Sequence, residues 1–185
     1  MATSQVGKNE GMKHVSVRRG TAEDLPSLQA VNLAAFEQIH QSFAEILGSG
    51  INSLVYPDWR RSQQHELVEL VAKPNVALFV AESDSQVVGF VVVEINEETR
   101  VGELCMIAVH PDSRGQGIGG MLNERALQAM RDAGMKLAEL GTGGDSAHAA
   151  ARRSYERAGL YGLAFSPILQ SSLATALLRI RKSKS

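Results

Sequence analysis

The chain has 185 residues, with 19 Lys and Arg against 20 Asp and Glu, for a formal net charge of −1 at pH 7. That balance gives no global attraction for nucleic acid or an anionic membrane surface, and no run reaches the roughly 18 apolar residues a membrane span needs. A single cysteine, Cys105, excludes an internal disulfide and a cysteine-based zinc cluster, and the five histidines show no pair at metal-ligand spacing.

A chain of this length suits one domain, placed here over 13–178, between a flexible polar lead, 1–12, and a basic tail, 179–185. The lead carries no apolar signal region, so a cytoplasmic protein is expected. "HVSVRR" (14–19) alternates as a short strand, and "TAEDLPSLQAVNLAAF" (21–36) has helical spacing, with Thr21 and Asp24 set as a capping box and Leu25, Leu28, Ala35 and Phe36 as its apolar stripe. After the break "YPDW", in which Trp59 is either a lid or a packed turn, "RRSQQHELVELVA" (60–72) reads as a second helix.

The period then changes. "VALFVAE" (76–82) and "VVGFVVVEI" (87–95) are β-branched and apolar on both faces around the polar turn "SDSQ", as buried hairpin strands are. "VGELCMIAV" (101–109) is a third core strand. A glycine-rich stretch follows, then a helix closed at Gly134, a fourth core strand "KLAEL" (136–140), and a last helix "SAHAAARRSYERA" stopped at Gly159. In "GTGGD", after the fourth strand, Asp145 or Ser146 suits a helix N-cap. The segment 167–185, with Leu169, Leu173, Leu177 and Ile180 at near-helical spacing, leaves strand and helix both open.

The stretch "HPDSRGQGIGGML" (110–122) places Gly115, Gly117, Gly119 and Gly120 between a strand and a helix. Such a turn aims successive backbone N–H groups at one spot, where the helix dipole adds roughly half a positive charge, and glycines let the backbone close on anionic oxygens. Arg114 is placed to add a charge-assisted bond to phosphate. A hairpin rather than a βαβ unit precedes "GQGIGG", and no Walker lysine follows, which makes the dinucleotide and nucleoside-triphosphate readings weak.

With its context, "IAVHPDSRGQGIGGML" resembles the pyrophosphate-binding motif of the GNAT superfamily of N-acetyltransferases, R/Q-x-x-G-x-G/A, filled here by Arg114, Gly117 and Gly119. "ARRSYERAGL" (151–160) is similar to the family's A-x-x-L-Y-x-x-x-G-F helix end, with Ser154 and Leu160 as departures, and the order of elements from 14 to 160 agrees. The resemblance implies a mixed α/β fold: a twisted, mostly antiparallel sheet of about six or seven strands, splayed between 101–109 and 136–141, with helices on both faces. It implies acetyl-coenzyme A as cosubstrate, held along Ile107, Ala108 and Val109, by the loop Arg114, Gly115, Gln116, Gly117, Ile118, Gly119 and Gly120, and at His148, where the family often carries an asparagine. No metal is implied. The reaction would be acetyl transfer to a primary amine of a small molecule or peptide by direct attack in a ternary complex. Dimerisation is a habit of the family.

That reaction needs a base for the ammonium, donors for the oxyanion and an acid for the thiolate. Glu103, the only acid in its strand, alternates with Cys105, Ile107 and Val109, so an apolar face is expected to raise its pKa toward that of a base; the alternative is a strand-entry glutamate facing water. Tyr155 shares a helix face with Ala147, Ala151 and Ala158, and the family's tyrosine at this place donates to the thiolate; a core tyrosine is the rival. Ala108 or Val109 N–H is the oxyanion donor by the same resemblance. His148 as an exposed helix histidine, and Cys105 as a buried hydrophobe rather than a nucleophile, stay open beside these roles. From another class, a silent acyl-coenzyme A-binding module would keep the loop and lose the acid and base.

Overall fold

The computed structural model describes residues 14–164 and 173–179. The polar lead, the basic tail beyond Arg179, and positions Leu169 and Ile180 lie outside the described residues. In chain order the elements are β1 (Val15–Arg19), α1 (Leu25–Val55), α2 (Trp59–Val71), β2 (Val76–Ser83), β3 (Gln86–Asn96), β4 (Val101–Val109), α3 (Ile118–Asp132), β5 (Leu137–Gly143), α4 (Ala149–Arg157), β6 (Tyr161–Ala164) and β7 (Leu173–Arg179). The strands form one seven-stranded sheet in the order β1-β2-β3-β4-β5-β7-β6, antiparallel at every junction except β4 with β5. Leu173–Arg179 is therefore strand, which decides the part of the C-terminal segment that is described.

The sheet is buried on both faces. Val91 and Val93 of β3 pack with Ile118, Leu122 and Met130 of α3, while Phe90 and Val92 pack with Leu28 and Val31 of α1 and Leu67 of α2. Alternation along a strand whose two faces are both covered is why its sequence reads as a continuous apolar run. The turn between β2 and β3 holds Asp84 and Ser85 at φ 51° and 62°, the pair of positive values that matches the twist of a two-residue hairpin. The capping box at Thr21 is present, with its N–H donating to Asp24 Oδ2 at 2.8 Å.

Two elements run further than their sequence period indicates. α1 continues past Phe36 to Val55 across a kink at Gly48, whose φ of 73° turns the apolar stripe to a new direction. β5 continues through Gly141–Gly143 rather than ending at Leu140. β4 and β5 pair only from Val101–Leu104 with Leu137–Leu140, although both strands go on. From there β5 pairs with β7 and leaves the second half of β4 with one neighbour, so the sheet opens at its centre.

The third departure is a β-bulge. Val92 pairs with Met106 and Val93 with Leu104, so Cys105 is the extra residue. A bulge shifts the side-chain alternation by one. Leu104 packs toward α3, Cys105, Met106 and Ala108 toward α1 and α2, and Ile107 and Val109 toward α3 again. The expectation that Glu103 shares a face with Ile107 and Val109 is thus corrected: Gly102 faces Met130 of α3, which puts Glu103 on the opposite side, with Met106 and Ala108.

Candidate active site

A cleft of about 760 Å³ opens where β4 and β5 part. Its walls are Ala35, Phe36, Gln38 and Ile39 of α1, Ile107–Val109 of β4, the glycine loop with the start of α3, and Ser146–His148 with α4. Of the residues expected at the site, Ile107, Ala108, Val109, Arg114, Gly115, Gly117, Ile118, Gly119, Gly120, His148 and Tyr155 line this one cavity. Gln116 and Glu103 do not.

Gly115 and Gly117 both have φ 79°, and Gly117 is the N-cap of α3. A Cβ built on Gly115, Gly117 or Gly120 meets nothing within 4 Å, so the loop borders open space rather than packed protein. Gly120 and Met121 donate their N–H groups to Gly117 O at 2.9 and 3.1 Å, which starts the helix, while among the described residues no acceptor takes the N–H groups of Gly115, Gln116 and Gly117. Unpaired N–H groups converging at a helix start, with room beside them, fit a phosphate.

Arg114 does something the sequence did not indicate. Its guanidinium donates to Gln38 Oε1 at 2.7 Å and Ala35 O at 3.2 Å, so it ties the loop to α1.

Along β4, His110 N donates to Val88 O at 2.8 Å. Successive N–H groups of a strand point to opposite sides, so Val109 directs its N–H toward the opened centre and Ala108 toward β3. Of the two candidate oxyanion donors, Val109 is the one with its N–H free for the cleft.

Tyr155 is 6 % exposed and belongs to the core cluster, yet it also lines the cleft. Burial pushes its phenol up to about 12, which keeps the O–H a donor at working pH. No hydrogen bond among the described residues engages that hydroxyl. A hydroxyl without a protein partner on the wall of an open cleft is available to a ligand. Asn123 of α3, absent from the sequence reading, also lines the cleft; it donates to Ser154 Oγ at 2.9 Å, and its buried Oδ1 has no partner among the described residues.

Glu103 pairs with Glu94 of β3 and Glu139 of β5 in the sheet register, and Lys73 binds Glu94 at 2.7 Å. Burial first, then the two neighbouring carboxylates, raise the Glu103 pKa above its ordinary value, the direction expected from the sequence, though the like charges rather than an apolar face supply part of it. The cleft wall begins four residues on, at Ile107, roughly 13 Å along the strand. Cys105 is half-buried and held as a neutral thiol: burial, with Glu103 and Glu94, pushes it up to about 12.

His148 is not an exposed helix residue. It lies in a 3-10 turn ahead of α4, its side chain is 16 % exposed, and its Nδ1 is 2.6 Å from Asp145 Oδ2. Phe43 of α1 stacks near its ring at 6.2 Å between centroids. Trp59 stacks on His40 at 4.2 Å and Tyr56 on Phe43 at 5.5 Å, so "YPDW" is a turn packed on α1. No helix of the described residues is long and apolar enough to cross a membrane.

Comparison with known proteins agrees with this architecture. The sequence model of the Acetyltransferase (GNAT) family matches residues 36–160. An uncharacterized N-acetyltransferase of Archaeoglobus fulgidus is 29 % identical over 134 residues, 70 % of this chain and 82 % of its own length. Mycothiol acetyltransferase of Sanguibacter keddieii is 29 % identical over 147 residues, which cover 75 % of this chain but 46 % of the relative's length. Among solved structures, the PaiA N-acetyltransferase of Thermoplasma acidophilum in complex with coenzyme A superposes with a TM-score of 0.68 at 18 % identity, covering 90 % of this chain and 99 % of that one. The ribosomal-protein-S18-alanine N-acetyltransferase of Escherichia coli superposes at 0.64 and 16 % identity, covering 92 % and 97 %.

Proposed function

The chain belongs to the GNAT acetyltransferase family, and from that premise we propose that it transfers the acetyl group of acetyl-coenzyme A to a primary amine of a small molecule or peptide, by direct attack in a ternary complex. One observation carries the reading: a loop of unpaired N–H groups beside open space shares its cleft with the unpartnered hydroxyl of Tyr155. The coenzyme complex of the Thermoplasma protein supports the same choice of cosubstrate.

In this reading Gly115–Gly119 hold the pyrophosphate, with Gln116 contributing its backbone N–H, and Arg114 fixes the loop to α1. Ile107–Val109 guide the acyl arm, and His148 borders it from the α4 side. When bound, acetyl-coenzyme A supplies an activated acyl carbon. Val109 N–H receives the negative charge that develops on the acyl oxygen, where a preorganised donor is worth far more than in water. Tyr155 gives its proton to the departing sulfur. Glu103 lies outside the cleft wall, so any part it has as a base would run through water along the opened sheet, and the direct base is left open. The reading takes residues 13–178 as one domain without a metal, the cytoplasm as its place and a homodimer as its assembly.

The test is thiol release from acetyl-coenzyme A on mixing with a panel of aliphatic amines and peptides with a free α-amino group, alongside calorimetry of coenzyme binding. Amine-dependent release supports the transferase. Tight binding with no release by any amine overturns it in favour of the silent binding module.

A further inference from the structure

His148 on the cleft wall pairs with Asp145, and the transferase reading leaves both without a catalytic part. Asp145 Oδ2 lies 2.6 Å from His148 Nδ1, and the Asp145 carboxylate also accepts from Ala147 N at 2.9 Å and from Ser42 Oγ of α1 at 3.4 Å. Burial raises the Asp145 carboxyl, but the His148 contact and the Ala147 N–H outweigh it and hold the group below the usual carboxylate range. An ionised carboxylate only accepts, so the proton of the neutral imidazole sits on Nδ1 and the lone pair on Nε2. The ring lies tight against the Gly143 backbone. A Cβ on Gly143 would collide with His148 Nδ1 and stand 2.6 Å from both His148 Cε1 and Asp145 Oδ2, so the pair rests on a bare backbone. Phe43 stacks on the ring from α1, and Arg152 of α4 donates to Asp145 O at 2.8 Å.

We propose that His148, oriented by Asp145, is the base that takes the proton from the acceptor ammonium, a role that rests on the transferase reading above. The acceptor arrives as R–NH3+. Nε2 takes one proton and passes it to solvent, and the imidazolium meanwhile keeps its Nδ1–H on Asp145. The nitrogen lone pair then forms the C–N bond to the acyl carbon, and the carbonyl electron pair moves to oxygen beside Val109 N–H. On collapse the C–S bond breaks with its electrons on sulfur, the Tyr155 O–H protonates the sulfur, and the second nitrogen proton restores the phenol. One proton leaves to solvent and one ends on the thiol, which balances the reaction. Asp145 is the group that touches the ring directly. Arg152 faces it through the Asp145 carbonyl, His40 of α1 stands behind Phe43, and Arg114, Arg153 and Arg157 line the same cleft.

The experiment compares the parent with His148→Asn and Asp145→Asn, after circular dichroism has established equal folding, using spermidine and aniline as acceptors. For spermidine at pH 7, kcat/KM in His148→Asn should fall about 10² to 10⁴-fold, and the deficit should shrink as pH approaches the amine's own pKa near ~10. Aniline is neutral at pH 7 and should show little deficit. Asp145→Asn should move the acid limb of the parental pH profile while coenzyme affinity by calorimetry stays parental. A deficit independent of pH and amine, or a raised coenzyme Kd with kcat unchanged at saturation, overturns the base. A parent that binds acetyl-coenzyme A and acetylates no amine of the panel overturns the transferase reading as well, so the two failures are told apart. If either variant misfolds, His148→Gln provides the same comparison.

Discussion

Glu103 and Glu139 stand opposite each other in the parallel ladder between β4 and β5, with Glu94 on the other side of Glu103. Like charges so placed destabilise a sheet. The raised Glu103 pKa means that the folded protein binds this proton more tightly than the unfolded chain does, so the contribution to stability is full below the ordinary glutamate range and is lost as pH rises through the folded value. Glu103→Gln should therefore melt higher than the parent at pH 7, with the difference closing on acidification. Circular dichroism melts at the two pH values check this, and an equal midpoint at pH 7 removes the carboxylate row as a source of strain.

Gly117 has φ 79° and open space where a Cβ would project. Gly117→Val places a β-branched side chain in that space and strains the turn by about 1–3 kcal/mol. At ~1.4 kcal/mol per decade, coenzyme affinity should drop roughly 5- to 100-fold in a variant that keeps its dichroism spectrum. Parental affinity by calorimetry would take the pyrophosphate away from this loop.

Tyr155→Phe removes one oxygen and keeps a ring that is 6 % exposed, so packing should survive and the melting midpoint should stay within a few degrees. Coenzyme affinity should be near parental and turnover lower by roughly 10 to 10³-fold, within what one positioned acid supplies. An acyl donor with a more acidic thiol should recover part of the loss. Parental turnover in this variant would leave Tyr155 as a core tyrosine.

Arg18 donates to both oxygens of Asp24, at 2.9 and 2.7 Å, and to Glu82 at 2.9 Å, joining β1, the turn before α1 and β2. The guanidinium, with the Thr21 N–H, overcomes burial and lowers the Asp24 carboxyl to about 2. Its stabilising effect is present above the ordinary aspartate pKa and is lost as pH falls from there toward 2. Asp24→Asn should cost about 1–2 kcal/mol at pH 7 and almost nothing near pH 2. Urea melts at both values measure it.

Element types were legible because β2, β3 and β4 are short β-branched apolar runs, because a period of 3.6 survives in the apolar residues of α3, and because glycines with positive φ punctuate the chain at Gly117, Gly134 and Gly159. The glycine loop was legible for the same reason: no packing role accounts for Gly115, Gly117 and Gly120, which face open space. The bulge at Cys105 was not, since one extra residue inside a continuous apolar run leaves no trace in composition, yet it moved Glu103 to the other face. Arg114 finds its partners 76 and 79 residues upstream, contacts that exist only once the chain is folded, whereas the His148–Asp145 pair is local, three residues apart, and escapes notice because Asp145 reads in the sequence only as an N-cap. The extension of α1 was hidden by the kink at Gly48, where the helical phase restarts.

The hydrogen bonds from Arg114 to Ala35 O and Gln38 Oε1 join the anion loop to the helix that walls the other side of the cleft. Any acceptor that shifts α1 pulls on the loop, and any anion that settles the loop restrains α1. By thermodynamic reciprocity each ligand then alters the affinity of the other by the same factor. In the transferase reading, the coupling between the two substrates would thus run partly through a guanidinium that touches neither of the reacting atoms.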